Sequence, residues 1–431
     1  MGENTPTFKT REEFWRFMER HVSKTYYHLT EEVRLPYKHN YLKSYLIEVN
    51  SLDPHQIPEY ISQVKLRQTK LSAKVIPTKD PRLYNIVITA LTTRGGRTTK
   101  KTATFYLDIS PKLPRFWILH TIEKSQDADA LLKYLIIKPG SRLDRPWFSS
   151  NLLIEFSKKL GDLKGLGIQY KYSEILGEHP PYSESESDEN VIDTPEDPFM
   201  KEEFPYSDET LASEFTMRVW GKVSERLLNK FLKDEDLRKI SALSSIGIRR
   251  ESDKDSFILE DITYWGKFRT SGSSFFEHME IIHEVERRYL ELLSERIESE
   301  LISAEKNSFG YYPKGSPFII TLQNTELQDN PKLFEAFVNK VFSGRPPFRI
   351  FGIKSKIAKD EYVIYGTDLH NGDPIELEIT PEWIAIHLRS IPNQNVCGNT
   401  ILRFFTNIQR YYDPQAILES EANGRILAPT A

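Results

Sequence analysis

The chain has 431 residues, enough for two to four domains at roughly 100–200 residues each. With 39% hydrophobic and 28% charged residues it reads as a globular protein, which excludes collagen-like, mucin-like and wholly disordered classes. A formal charge of −4 excludes a polycation overall, and the single cysteine excludes an intramolecular disulfide framework or a cysteine-based metal cluster within one chain.

Taken in chain order, residues 8–35 read as a helix. Thr10 is a capping residue, Glu12 and Glu13 fall in the first turn, and Phe14, Phe17 and Met18 recur at helical spacing. The character then changes: Gln63–Ile76, Leu83–Thr93, Thr102–Ser110 and Phe116–Ile122 are rich in β-branched and aromatic residues. The breaks between them are Pro77–Pro81, the Arg94-Gly95-Gly96-Arg97 run and Pro111–Pro114, which predict a four-stranded antiparallel meander with a Gly-Gly hairpin. A helix over Asp127–Ile137 follows, stopped by Pro139-Gly140. Amphipathic helices are predicted over 150–161, 224–240 and 331–342. A strand opening with apolar-Gly-Ile follows each: Leu166-Gly167-Ile168, Ile246-Gly247-Ile248 and Phe351-Gly352-Ile353. Glycine there marks a bulge or close packing. Residues 215–300 read as a strand (Phe215–Trp220), a helix, two strands (Ser245–Arg250 and Phe257–Arg269) and a long helix. Ser273 or Ser274 caps that helix, and Phe276, Met279, Ile282, Val285 and Tyr289 share one face. A second meander follows over Arg349–Ile357, Tyr362–Leu369, Ile375–Ile379 and Trp383–Arg389, with Asn371-Gly372 as a hairpin turn, then a helix over Thr400–Tyr412.

The two meanders match in letters. Leu107-Asp108-Ile109-Ser110-Pro111 corresponds to Leu377-Glu378-Ile379-Thr380-Pro381, and each leads into an aromatic-apolar strand ending in a histidine, His120 or His387. This predicts an internal duplication. The fold class is α+β: two lobes of antiparallel meander sheets with helices packed on one face, which leaves the other face as a binding surface. The plan is similar in architecture to TATA-binding-protein-like and helix-grip folds, an analogy of plan alone. The expected boundaries are an α+β lobe over 1–180, an acidic disordered linker over 181–214, a middle unit over 215–305 and a C-terminal meander unit over 306–431.

Charge is separated along the chain. Residues 63–102 hold ten basic residues against Asp80, a net +9, and residues 184–214 hold twelve acidic residues against Lys201, a net −11. Alternate residues of a strand share a face, so Lys65, Arg67, Lys70, Lys74, Arg94, Arg97, Lys100 and Lys101 form the candidate nucleic-acid-binding set. Interleaved Thr69, Tyr84, Thr98, Thr99 and Tyr106 would add backbone and stacking contacts.

Catalytic constellations are sparse. His120 and His387, at matching strand ends, are the candidates for paired acid–base work on a phosphodiester, although neither sits in the His-x-Ser/Thr pattern of two-histidine phosphoesterases. Glu277, Glu280, His283 and Glu286 recur every three residues on the long helix, but no second Glu-x-x-His supports a di-metal centre. The His370–Asp373 tip, the Asp360, Glu361, Glu376 and Glu378 carboxylates near Lys354 and Lys356, and Cys397 before the last helix are weaker candidates. P-loop, dinucleotide-binding, nucleophile-elbow and zincin motifs are absent, so no cofactor and no metal are expected. No apolar run is long enough to span a membrane and no apolar leader opens the chain, so the expectation is a soluble, cytoplasmic protein without a membrane partner. The expected role is binding: DNA, RNA or another polyanion on the basic sheet, with the acidic segment as a competing mask. A protein-interaction subunit is the alternative, and a hydrolase using His120 and His387 the second.

Overall fold

The strand-forming segments pair into two large antiparallel sheets. The structure is a computed structural model that describes residues 6–30, 41–64, 66, 68–136, 142–172, 213–251, 257–345, 347–389, 398–421 and 423–427. The N-terminal elements are α1 (Arg11–Thr30), β1 (Leu42–Val49), α2 (Ile57–Ser62), β2 (Thr69–Pro77), β3 (Leu83–Arg94), β4 (Arg97–Ile109), β5 (Phe116–Thr121), α3 (Ser125–Ile136) and β6 (Leu143–Asp144). Next come α4 (Ser150–Lys159), β7 (Asp162–Tyr172), β8 (Ser213–Trp220), α5 (Lys222–Lys233), α6 (Glu235–Ile240), β9 (Ala242–Glu251), β10 (Phe257–Thr263), β11 (Lys267–Gly272) and α7 (Phe275–Glu291). The C-terminal part holds β12 (Ser303–Asn307), β13 (Gly310–Lys314), β14 (Phe318–Thr321), α8 (Glu326–Asp329), α9 (Pro331–Val341), β15 (Ile350–Ala358), β16 (Glu361–Asp368), β17 (Pro374–Ile379), β18 (Trp383–Leu388), α10 (Asn399–Tyr411), β19 (Ile417–Ser420) and β20 (Gly424–Leu427).

The first sheet runs β2-β3-β4-β5-β1-β11-β10-β9-β7-β8, with β6 also on β1; the second runs β15-β16-β17-β18-β14-β19-β20. The α+β reading therefore holds. The two meanders share one plan: β2-β3-β4-β5-β1 and β15-β16-β17-β18-β14 have the same order, each begun by the strand that closes it and followed by a long helix, α3 or α10. The register agrees too. Leu107 faces Leu119 and Leu377 faces Ile386, which sets His120 opposite Tyr106 and His387 opposite Glu376. At the Gly-Gly hairpin, Arg94 pairs with Arg97 across Gly95 (φ 53°) and Gly96 (φ 77°), the left-handed pair of a type I′ turn.

The sequence places a linker at 181–214, but the structure does not part there. Tyr172 pairs with Ser213, and β1 lies between β5 and β11, so strands on both sides of the acidic stretch share one sheet. Phe257–Arg269 is not one strand: the chain turns at Gly266 (φ 76°) and gives β10 and β11. The helix predicted over 224–240 breaks at Asp234, which accepts from Leu237 N and caps α6. Phe276, placed on the core face by its spacing, is 54% exposed. At the β7–β9 contact, Gly165 and Gly247 are register partners under the Trp220 ring, and a Cβ on either would come 2.7 Å from it. A Cβ on Gly167 would come 2.5 Å from Ser245 Oγ and one on Gly352 2.7 Å from Gly366 Cα, so close packing explains the glycine of each apolar-Gly-Ile strand, Gly247 under Trp220 included.

Helices α2 and α3 cover one face of the first meander, where Trp117 and Leu119 meet Leu132 and Leu135. On the other face α1 and α7 cover its central strands, with Phe14 and Phe275 against His120. The second sheet keeps its helices on one face, where Phe334 of α9 packs on Tyr362. Every residue of α10 from Asn399 to Arg410 is buried. Its apolar side packs Phe404 on Phe348. Its polar side meets the first lobe: Asn399 Nδ2 donates to Asp144 Oδ2 (2.8 Å) and the Arg145 carbonyl (2.9 Å), Tyr289 OH donates to Asn399 Oδ1, and Arg410 donates to Gln169.

Replacing Asn399 by Leu leaves the Tyr289 hydroxyl, Asp144 and the Arg145 carbonyl without these partners at a buried interface. We expect a loss on the order of 2 kcal/mol or more in urea unfolding. An Asn399→Leu midpoint equal to the parent's would show that the interface does not need these bonds.

Candidate functional site

The basic residues sit on the outer half of β2–β4. Cross-strand rows run Lys74–Val87–Thr104, Ser72–Thr89–Thr102 and Lys70–Leu91–Lys100. Because side chains alternate, Lys70, Lys74 and Lys100 share one face, the same face as Tyr106 and His120. Beyond the reach of α1 this face is open: Lys70, Lys74, Lys100, Thr98 and Thr102 are exposed, and Leu91 is 37% exposed. The opposite face carries Leu71, Ala90, Ile88 and Ala103 into the core. Arg97 and Lys101 fall on that side, and Lys101 lies 3.4 Å from Asp127. Arg94 pairs with Arg97 through its backbone; its side chain, Lys65, Arg67 and most of the acidic segment lie outside the described residues.

The sequence set is therefore split, with three lysines on the open face. Among the described residues Lys70, Lys74, Arg97 and Lys100 form no ion pair. The open face carries threonine hydroxyls, paired as Thr89–Thr102 (3.1 Å) and Thr93–Thr98 (3.2 Å). Tyr84 and Tyr106 do not join it. Both are buried, donating to the carbonyls of Pro81 and Pro6. Among the described residues this surface offers charge and hydroxyls and not the expected stacking platform.

His120 stands on β5 of the first sheet and His387 on β18 of the second, and among the described contacts they share no partner. His387 Nε2 lies 3.4 Å from Glu378 on the outer face of the second sheet. His120 is buried in a network that sequence reasoning missed. Ser44 Oγ of β1 lies 2.7 Å from both His120 Nδ1 and His278 Nε2 of α7. On the far side of that ring, His278 Nδ1 lies 2.7 Å from Glu260 Oε2, and Thr270 Oγ1 donates to the same carboxylate at 2.7 and 2.9 Å. Serine, histidine and glutamate thus stand in the order of a nucleophile relay. Ser44, His120 and His278 are wholly buried, however, and Phe14 and Phe275 close over the rings. In this state the network ties α7 to β1, β5, β10 and β11; it presents no hydroxyl to a substrate. Burial holds His120 well below its ordinary value of 6.5, with His278 and His283 adding to the effect.

A second buried cluster lies on the opposite face of β1. Lys267 Nζ donates to Asp129 (2.5 Å), Tyr45 OH donates to Asp129 (2.6 Å), and Lys43 Nζ donates to the Tyr41 carbonyl (2.7 Å). Burial, then the charge of Lys267, lowers Lys43 to about 7; Asp129 opposes the shift.

The weaker candidates resolve as structure. His283 Nδ1 lies 2.9 Å from Glu286 Oε2, and no group of three metal-ligating side chains occurs among the described residues. His370 is buried between the lobes, 3.0 Å from Asp144. Glu376 and Glu378 sit on the outer face of the second sheet and Lys354 and Lys356 on the other, so no nuclease-like set assembles. Cys397 lies outside the described residues.

The model of the MJECL33-like protein family matches residues 3–427. The chain belongs to this family. The match crosses both sheets, and a protein of Methanocaldococcus jannaschii called uncharacterized protein MJECL33 is 30% identical over 434 residues, covering 98% of this chain and 97% of the relative. In this MJECL33-like chain no helix among the described residues is long and apolar enough to cross a membrane.

The two buried clusters predict opposite pH signatures. His120 resists protonation when folded and accepts a proton near 6.5 when unfolded, so its stabilisation is complete above that pH and is lost as pH falls below it. The stability advantage of the parent over His120→Gln should narrow between pH 7.5 and 5.5 in urea titrations; a constant gap would contradict the assignment. Lys43 titrates near 7 when folded and near 10.5 when unfolded, so its burial penalty fades as pH rises across that window. Lys43→Met should melt above the parent at pH 7, and the difference should shrink toward pH 10.

Proposed function

We propose that this protein binds a polyanion, in the first instance single-stranded nucleic acid, on the open face of β2–β4. The observation that carries this reading is the trio Lys70, Lys74 and Lys100, exposed on one face and without ion-pair partners among the described residues. Lys70 and Lys100 are two strands apart, about 10 Å, and Lys70 and Lys74 about 13 Å along the strand. That spacing suits a run of phosphates. With no exposed aromatic ring on the face among the described residues, recognition rests on charge and threonine hydroxyls and is indifferent to sequence.

The acidic stretch fits as an internal competitor. It leaves and re-enters the sheet at β7 and β8, eight and nine strand spacings from β2, about 38–43 Å. The 40 residues between Tyr172 and Ser213 are long enough to reach that far and return.

The test is binding of fluorescein-labelled oligo-dT and oligo-U by anisotropy across 25–300 mM salt. We expect affinity to fall steeply with salt, and the Lys70→Ala, Lys74→Ala, Lys100→Ala triple variant to flatten the log–log slope by about 2, at ~0.7 per phosphate contact. Deleting 184–209 should tighten binding at low salt. No binding at the lowest salt by either the full chain or the deletion variant would reject the reading.

A further inference from the structure

The outer face of the second sheet is bare where the central strands of the first are covered. On the edge hairpin β15–β16 the cross-strand rows Phe351–Thr367, Ile353–Tyr365 and Ser355–Val363 point outward. Phe351 is 59% exposed, Ile353 74%, Ile357 60% and Tyr365 58%. Scattered exposed apolar residues are normal, but Phe351, Ile353 and Tyr365 adjoin on one hairpin and Ile357 continues their side of β15 beyond Ser355. β15 is also the end strand of the sheet. Ser343 bridges Phe351, so the outer edge from Gly352 to Ala358 faces no strand among the described residues.

The other face of the same strand carries Lys354 and Lys356. Lys354 Nζ donates to Asn339 of α9, and Lys356 lies over the Tyr362 ring at 5.3 Å; neither meets a carboxylate among the described residues. Lysines and the irregular register between Lys356 and Ala358 are devices that protect an edge from indiscriminate pairing. They select the occupant. Antiparallel pairing with the β15 of a second copy about Ser355 would bring Lys354 against Lys356 of the other chain, a like-charge pair in each direction. A strand of alternating apolar and acidic residues has no such conflict. Its apolar side chains would extend the Ile353–Ile357 strip, its carboxylates would meet the two lysines, and its backbone would complete the open edge.

We propose that β15 is a docking edge for an extended segment of a partner protein with alternating apolar and acidic residues, added as an eighth strand to the second sheet. This site is independent of the polyanion face and of its lysines.

The experiment uses the full chain and two fluorescein-labelled nonapeptides, one alternating valine with glutamate and one alternating valine with lysine. Anisotropy should show the glutamate peptide binding at least tenfold more tightly, and amide exchange should slow in 352–358. Ile353→Glu should abolish binding, and the pair Lys354→Glu, Lys356→Glu should reverse the preference. Both sets of side chains are at the surface, so unchanged melting temperatures certify the fold. The triple lysine variant of β2 and β4 should bind the glutamate peptide as the parent does. Equal binding of both peptides, or binding unaffected by Ile353→Glu, would overturn the proposal. So would a concentration-dependent dimer that Ile353→Glu dissolves, which would give the edge to a second copy.

Discussion

The architecture depends on β1, a central strand with almost no exposed surface that nevertheless carries Lys43, Ser44 and Glu48. All residues from Leu42 to Glu48 are buried. A buried polar group without a partner costs on the order of 1–3 kcal/mol, so each of these side chains dictates what must pack against it. Ser44 requires the two histidines and so brings α7 across the sheet, with Glu260 and Thr270 behind it. Glu48 accepts from Arg115, whose guanidinium also grips Glu298 at 2.6 and 2.8 Å and pins the chain just after α7. Lys43 lies on the opposite face, beside the Asp129–Lys267 pair. Because β1 pairs with β5 on one side and β11 on the other, these demands join the first meander to the strands that follow the acidic stretch.

The lobes are held together by a different kind of contact. The polar side of α10 is buried against the first lobe, and its bonds are directional: Asn399 to Asp144, Gln409 receiving from Ser150 N, Arg410 to Gln169. Arg410 also stacks on Tyr264 at 3.4 Å, and Arg145 lies over both Trp147 (4.5 Å) and Trp265 (5.2 Å). An apolar interface tolerates sliding, whereas hydrogen bonds and cation–π contacts fix one register. Arg403, Thr400 and Asp368 extend this order into the second sheet, and His370 reaches back to Asp144. The histidine of a predicted hairpin tip is thus part of the seal between lobes.

What was legible in the sequence was the part that obeys simple periods. The two meanders, their Gly-Gly and Asn-Gly turns and the helices α3, α4, α9 and α10 follow from alternation, turn residues and helical spacing, to within a few residues. β1 was not legible, because Lys43, Ser44 and Glu48 destroy both the alternating and the continuous apolar pattern, and its reason for being a strand lies in residues far along the chain. The same is true of the relay: Ser44, Glu260, Thr270 and His278 are separated by up to 234 positions, and only the sheet order brings them together. Letters show the repeat that relates His120 to His387 and not which face is covered, so they do not reveal that His278 is the histidine near His120. The basic stretch is legible as charge and only partly as surface. Alternation splits it, leaving Lys101 beside Asp127 and burying the tyrosines.

The shared plan of the two meanders explains how one unit can present two kinds of surface. Through the matched registers, the face bearing His120, Lys74 and Lys70 corresponds to the face bearing His387, Tyr365 and Ile353. In the first unit α1 and α7 lie over its inner half, so the histidine is buried, its basicity is suppressed, and only the outer lysines remain in water. In the second unit no helix of the described chain packs there, and the equivalent histidine is left beside a glutamate at the surface with an apolar strip along the edge. Burial, not residue identity, therefore decides what this position does. A cationic, hydroxyl-rich face is stabilised by phosphates and weakened by salt, whereas an apolar edge strand gains from dehydration and backbone pairing and is largely indifferent to salt. The two proposed sites should thus respond to different variables, so that binding at one can be varied experimentally while the other is held constant.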